Sequence, residues 1–120
     1  MMTIEQRTID PDVTVLQVQG RISLGRDSQE LEWKVDDLLK AQAKRIVLDL
    51  AGVTFLDSTG VGIIAMYGGK LKKTGGELRI SGPTGIVANT LALCKVSEIV
   101  PIFATLDQAA SSFGMAAGAA

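Results

Sequence analysis

Hydrophobic and polar positions change rhythm along this 120-residue chain, and each change marks an element. In TIEQRTI (3–9) and VTVLQVQ (13–19) β-branched and apolar residues recur at close to every second position, with Asp10-Pro11-Asp12 between them, which predicts a β-hairpin. From about 28 to 43 the period lengthens: Leu31, Val35, Leu38, Leu39 and Gln42 fall on one helical face, Asp27 and Glu30 are spaced as a capping box, and Lys40, Lys44 and Arg45 stand near the end. IVLDL (46–50) is a short apolar run of the kind buried on both faces of a parallel sheet. A second helix is expected from near Ser58, with Val61, Ile64, Ala65, Gly68 and Leu71 inward and Gly75-Gly76 as its stop. ELRIS (77–81) reads as a strand and Ser81-Gly82-Pro83 as a turn. A helix over about 84–95 then places Val87, Thr90, Leu91 and Cys94 on one face. VPIF (100–103) suits an edge strand because Pro101 lacks an N–H. Thr105 and Gln108 can cap a last helix that turns Leu106, Ala109, Ala110 and Phe113 inward.

The resulting order, ββαβαβαβα, predicts an α/β fold: a mostly parallel sheet of about five strands with right-handed crossovers, a first strand antiparallel to the second, and four helices. One domain is expected over 1–113, followed by a flexible Ala/Gly tail at 114–120. In such sheets the loops leaving the carboxyl ends of parallel strands gather on one edge, where ligands and partners bind. Here those loops are Ser23 to Asp27, Asp57 to Gly60 and Ser81 to Gly85.

Composition narrows the chemistry. With 47% hydrophobic and 21% charged residues the chain reads as a single globular domain. Twelve Lys and Arg against 13 Asp and Glu give a net charge of −1, and no basic stripe interleaves with aromatics, so nucleic acid is not an expected partner. Lys70, Lys72 and Lys73 read as complements to the dipole at a helix end. Histidine is absent, which rules out a Ser-His-Asp triad within the chain, and the single Cys94 makes neither an internal disulfide nor a thiolate metal cage. No metal or other cofactor is expected. No apolar run approaches the roughly 20 residues that cross a bilayer, and the start, MMTIEQRTID, carries no export signal. A cytoplasmic, membrane-free protein is the expectation.

The stretch FLDSTGVG (55–62) concentrates the remaining chemistry. A serine between strand and helix suggests the nucleophile elbow of hydrolases, but Leu56 stands where that elbow needs glycine. The glycines nearby match neither phosphate-binding loop pattern. Either Asp57 or Ser58 can act as the N-cap of the following helix. A cap needs one of them, which leaves an accessible hydroxyl at a helix start. A phosphate there would be tolerated by the helix dipole while turning a neutral surface dianionic. Gly60, Gly62, Gly68 and Gly69 each cost about 1 kcal/mol relative to alanine inside a helix, so a close approach by a strand or a partner is expected to offset them. Trp33 lies away from the Leu31-Val35-Leu38 stripe and reads as a singly exposed or partly buried residue.

IVLDLAGVTFLDSTGVGIIAMYGGKLKKTGGELRISGP resembles the signature of STAS domains, specifically bacterial anti-sigma factor antagonists, most closely at Asp49-Leu50 and Asp57-Ser58-Thr59-Gly60-Val61. The resemblance implies a non-enzymatic switch protein. Unphosphorylated, it would bind an anti-sigma factor that is also a serine kinase and so free a sigma factor. Phosphorylation of Ser58 would break that complex and a PP2C-type phosphatase would restore it. Asp57, Thr59, Gly60 and Val61 would then form the partner-binding face, with Ser81 and Pro83 at its margin and Thr59 as fallback acceptor. The chain departs from the family where Gly20-Arg21-Ile22-Ser23 carries serine in place of the usual acidic residue. Alternatives are a STAS module of a stress-signalling assembly or of a lipid transporter, and a small-ligand or nucleotide sensor.

Overall fold

The two period-two segments pair as expected: β1 (Thr3–Ile9) runs antiparallel to β2 (Val13–Ile22), with Thr3 opposite Gln19 and Ile9 opposite Val13. The computed structural model describes residues 2–9 and 12–119, with side chains through Phe113, so Asp10 and Pro11 of the hairpin turn lie outside the described residues. Five strands form one sheet in the order β1-β2-β3-β4-β5, parallel from β2 onward. Helices α1 (Arg26–Lys40), α2 (Ser58–Lys73) and α3 (Gly85–Leu93) alternate with β3 (Arg45–Leu56), β4 (Glu77–Ser81) and β5 (Ile102–Phe103). A 3₁₀ turn, Val96–Glu98, precedes β5, and α4 (Leu106–Ala119) closes the chain. The backbone of α4 thus continues past Phe113 into the stretch expected to be a flexible tail.

The apolar run in β3 explains the layering. Ile46, Leu48 and Leu50 join Leu16, Val18, Leu78 and Ile80 beneath α1, α2 and α3, whereas Val47 joins Val13 and Val15 beneath Ala109 and Phe113 of α4. A strand with apolar side chains on both faces stays in register because both faces must be covered. Polar residues tie α4 down as well. Arg79, 7% exposed on β4, donates from Nε to Ser112 Oγ at 2.9 Å, pairs with Glu77 at 2.9 Å and stacks over the Phe113 ring at 4.6 Å. This ion pair holds the Glu77 carboxyl below the usual carboxylate range, its hydrogen bond from Arg79 outweighing the opposing effect of burial. A lowered folded pKa stabilises the fold above the unfolded value of 4.5, and that contribution disappears as pH falls through the folded value. Glu77→Gln should therefore lose less stability than the parent between about pH 6 and about pH 3, read from urea midpoints.

The helix ends follow identifiable local chemistry. α1 starts two residues earlier than expected because Gly25, at φ 117, is its N-cap. The Ser28 hydroxyl accepts from the Gly25 N–H at 3.2 Å and donates to the Gly25 carbonyl at 3.0 Å; Asp27 lies in the first turn without capping. α1 stops at Lys40, and Gln42 lies beyond it at φ 65, so Gln42 leaves the expected apolar face. The Ala43 N–H reaches back to Leu38 O at 2.9 Å, closing a Schellman turn. α2 ends in the same motif through Gly75, at φ 88, and Gly76, whose N–H bonds Leu71 O at 2.8 Å. In α3, Val87 and Leu91 face the core and Thr90 is half-buried, but Cys94 is exposed, contrary to expectation. The helix ends at Leu93, and Lys95 turns to φ 56, so the helical period stops before Cys94. Thr105 Oγ1 accepts from the Gln108 N–H at 3.1 Å, giving α4 the expected cap.

The buried face of α2 includes Ile63 and Tyr67, which the expected stripe omitted, while Ala65 is half-buried. Burial foremost, then the Asp36 carboxylate of α1, push the Tyr67 pKa well above the ordinary tyrosine value. The four glycines of α2 divide into pairs. A Cβ on Gly60 would stand 2.5 Å from Leu56 Cδ1, and one on Gly68 would stand 2.6 Å from Val100 Cγ2. A Cβ on Gly62 or Gly69 would meet nothing within 4 Å among the described residues. Gly69→Ala is expected to stabilise the fold by about 1 kcal/mol, raising Tm by about 4 °C in a thermal melt.

Candidate functional site

The sheet presents its site on an overhang. β3 pairs with β4 as far as Asp49 opposite Ser81, but with β2 as far as Leu56 opposite Ile22. At ~3.3 Å per residue, the end of β3 projects roughly 20 Å beyond the end of β4. Register shifts between Gln17 and Gln19 and between Gly20 and Arg21 bend this two-stranded extension. Two expected loops meet at its tip: the Asp57 N–H bonds Ile22 O at 3.2 Å, and Asp57 Oδ2 accepts the Leu24 N–H at 2.8 Å. The third does not reach it, because Gly82, at φ 70, turns against Ala51 lower on β3. The three loops thus leave the same edge of the sheet, but at two levels.

Of the two candidate caps, Asp57 is the one used. It is extended, at φ −95 and ψ 179, and its Oδ1 accepts the Gly60 N–H at 3.0 Å. One carboxylate thus holds the first turn of α2 with one oxygen and the β2–α1 loop with the other. Ser58 is the first residue of α2, exposed and outside the cap. Thr59 is half-buried and lines, with Leu24, Arg26, Gln29 and Glu32, an open cleft of about 440 Å³. Leu24, 77% exposed, projects from the same loop. Sequence reasoning did not single it out, although an aliphatic residue directly before Gly25 in a predicted surface loop was a signal available to it.

The remaining expected contact residues separate. Gly60 is buried against Leu56 and Ile22, and Val61, 8% exposed, belongs to the main core cluster, so neither faces outward. Ser81 is 0% exposed, its Oγ buried without a hydrogen-bond partner among the described residues, so it cannot meet a partner at the surface. Pro83 is half-buried and belongs to the lower turn. Trp33 is 58% exposed on α1. Another open cleft, of about 460 Å³, lies at the opposite end of the strands beside Asp12, Lys44, Arg45 and Glu77. Its main charges are already engaged: Arg45 pairs with Asp12 at 3.1 Å, and Lys44 Nζ donates to Thr74 O at 2.6 Å.

Comparison with known proteins fits this geometry. The model of the STAS domain matches residues 6–109, from β1 into α4. The chain belongs to the STAS domain family. Among relatives of this STAS domain, a Thermotoga maritima protein described as a candidate anti-sigma factor antagonist is 26% identical over 98 residues, covering 82% of this chain and 87% of the relative. The crystal structure of an anti-sigma factor antagonist from Mycobacterium paratuberculosis superposes with a TM-score of 0.85 at 26% identity, covering 93% of each chain. The phosphorylated form of the Bacillus cell fate determinant SpoIIAA shares the fold, with a TM-score of 0.72 at 15% identity over 92% of this STAS domain and 99% of that chain. No helix among the described residues is long and apolar enough to cross a membrane.

Proposed function

We propose that this STAS domain is a cytoplasmic anti-sigma factor antagonist that acts by binding rather than by catalysis. In its unmodified form it binds an anti-sigma factor that is also a serine kinase, and so frees a sigma factor. Transfer of the γ-phosphoryl group of ATP to Ser58 Oγ, with release of ADP and the hydroxyl proton, ends the complex. A PP2C-type phosphatase reverses the step. The observation that carries this reading is the division of labour at the helix start: Asp57 makes the cap, leaving the exposed Ser58 hydroxyl free to accept phosphate. Support also comes from the anti-sigma factor antagonists among its relatives.

The contact surface is redrawn around the tip of the overhang: Ser58, Thr59, Leu24 and the outward face of α2 at Gly62, with Asp57 holding the loops behind it. Incubation with the anti-sigma kinase and ATP should add one phosphoryl group to the peptide containing Ser58, detected by mass spectrometry. Ser58→Ala should take up none. Labelling that persists in Ser58→Ala, or no labelling of the parent, would remove the basis for the switch.

A further inference from the structure

We infer that Asp57 is a positioning residue that transmits the charge on Ser58 to Leu24. This deepens the reading of Ser58 as a phosphate acceptor and rests on it. The argument begins with the two bonds of one carboxylate: Oδ1 to the Gly60 N–H at 3.0 Å and Oδ2 to the Leu24 N–H at 2.8 Å. The first bond is local to α2. The second spans two loops that are far apart in sequence and fixes the backbone beneath the most exposed apolar side chain at this tip.

A phosphate on Ser58 would stand next to this carboxylate. Between a dianion and a single negative charge at about 6 Å, the repulsion in a water-like dielectric corresponds to about a tenfold shift in an equilibrium. The two N–H groups released from Asp57 then face different futures. Gly60 N–H belongs to the first turn of α2, where phosphate oxygens can replace the lost acceptor. Leu24 N–H belongs to the β2–α1 loop rather than to the helix start, and the acceptor it has among the described residues is Asp57 Oδ2, so its protection is expected to follow that carboxylate. The modification therefore acts twice on a partner: it places charge on the face, and it loosens the apolar anchor beside it while the helix start stays intact.

The test needs neither kinase nor partner. Phosphoserine is installed at position 58 during synthesis, and backbone amide hydrogen exchange is followed by NMR in the unmodified protein, the phosphoserine protein and Asp57→Asn. Asparagine keeps a good cap but has one acceptor oxygen where aspartate has two. The Leu24 amide should exchange about tenfold faster in both altered proteins, while Gly60 stays protected in all three. Unchanged Leu24 exchange in the phosphoserine protein overturns the inference. So does a parallel rise at Gly60, which would mean general fraying of α2. Should the kinase leave Ser58 unmodified, the functional reading fails on its own assay, and the coupling is still decided by exchange.

Discussion

Ser58→Asp is expected to weaken the complex with the anti-sigma factor by about 100-fold, because an unpaired charge forced into a closing interface costs about 2–5 kcal/mol. Ser58→Ala should bind within about threefold of the parent, since the hydroxyl makes no bond that the fold depends on. The two variants should unfold at nearly the same urea concentration, because a negative charge in the first turn of a helix is favourable or neutral. Calorimetric titration measures the first difference and urea denaturation the second. Equal affinities for Ser58→Ala and Ser58→Asp would dismiss charge as the switch. A large loss of stability in Ser58→Asp would instead mean that Ser58 supports the fold.

Much of the scaffold was legible because it is written in local periods. The alternation in 13–19, the double-faced run at 46–50 and the helical stripe of Leu31, Val35 and Leu38 each report which neighbours must cover them. The cap pair Asp57-Ser58 was legible as a pair. Its division was not, because adjacent residues of cap-forming type differ only in which backbone donor each can reach, and Leu24 N–H arrives from a distant loop. The same holds for Ser81. Its turn chemistry was visible, yet its level depends on where β4 stops along β3, a long-range register that no local pattern encodes. Cys94 fell on the wrong side of a boundary, and element ends are set by caps and turns such as the positive φ of Lys95 rather than by the apolar stripe.

The glycines of α2 give the second large effect, because the sequence shows four alike and the structure separates them. Gly60→Ala should destabilise the fold by about 2 kcal/mol, since its methyl would press on Leu56 and Ile22, two core side chains already in close packing. Gly62→Ala, two residues on, should stabilise it by about 1 kcal/mol, since its methyl enters open space and the helix gains the usual alanine preference. The pair spans about 3 kcal/mol in urea unfolding for the same chemical change. Binding should then run opposite to stability at position 62. On the proposed contact face, a partner backbone lying low against α2 one turn from Ser58 would give the open Gly62 position an external use. Gly62→Ala should lose about tenfold in affinity for the anti-sigma factor while melting higher than the parent. If it both melts higher and binds as well as the parent, the partner does not cross α2 at this turn, and the contact face must be drawn around Leu24 and the α1 side of the cleft instead.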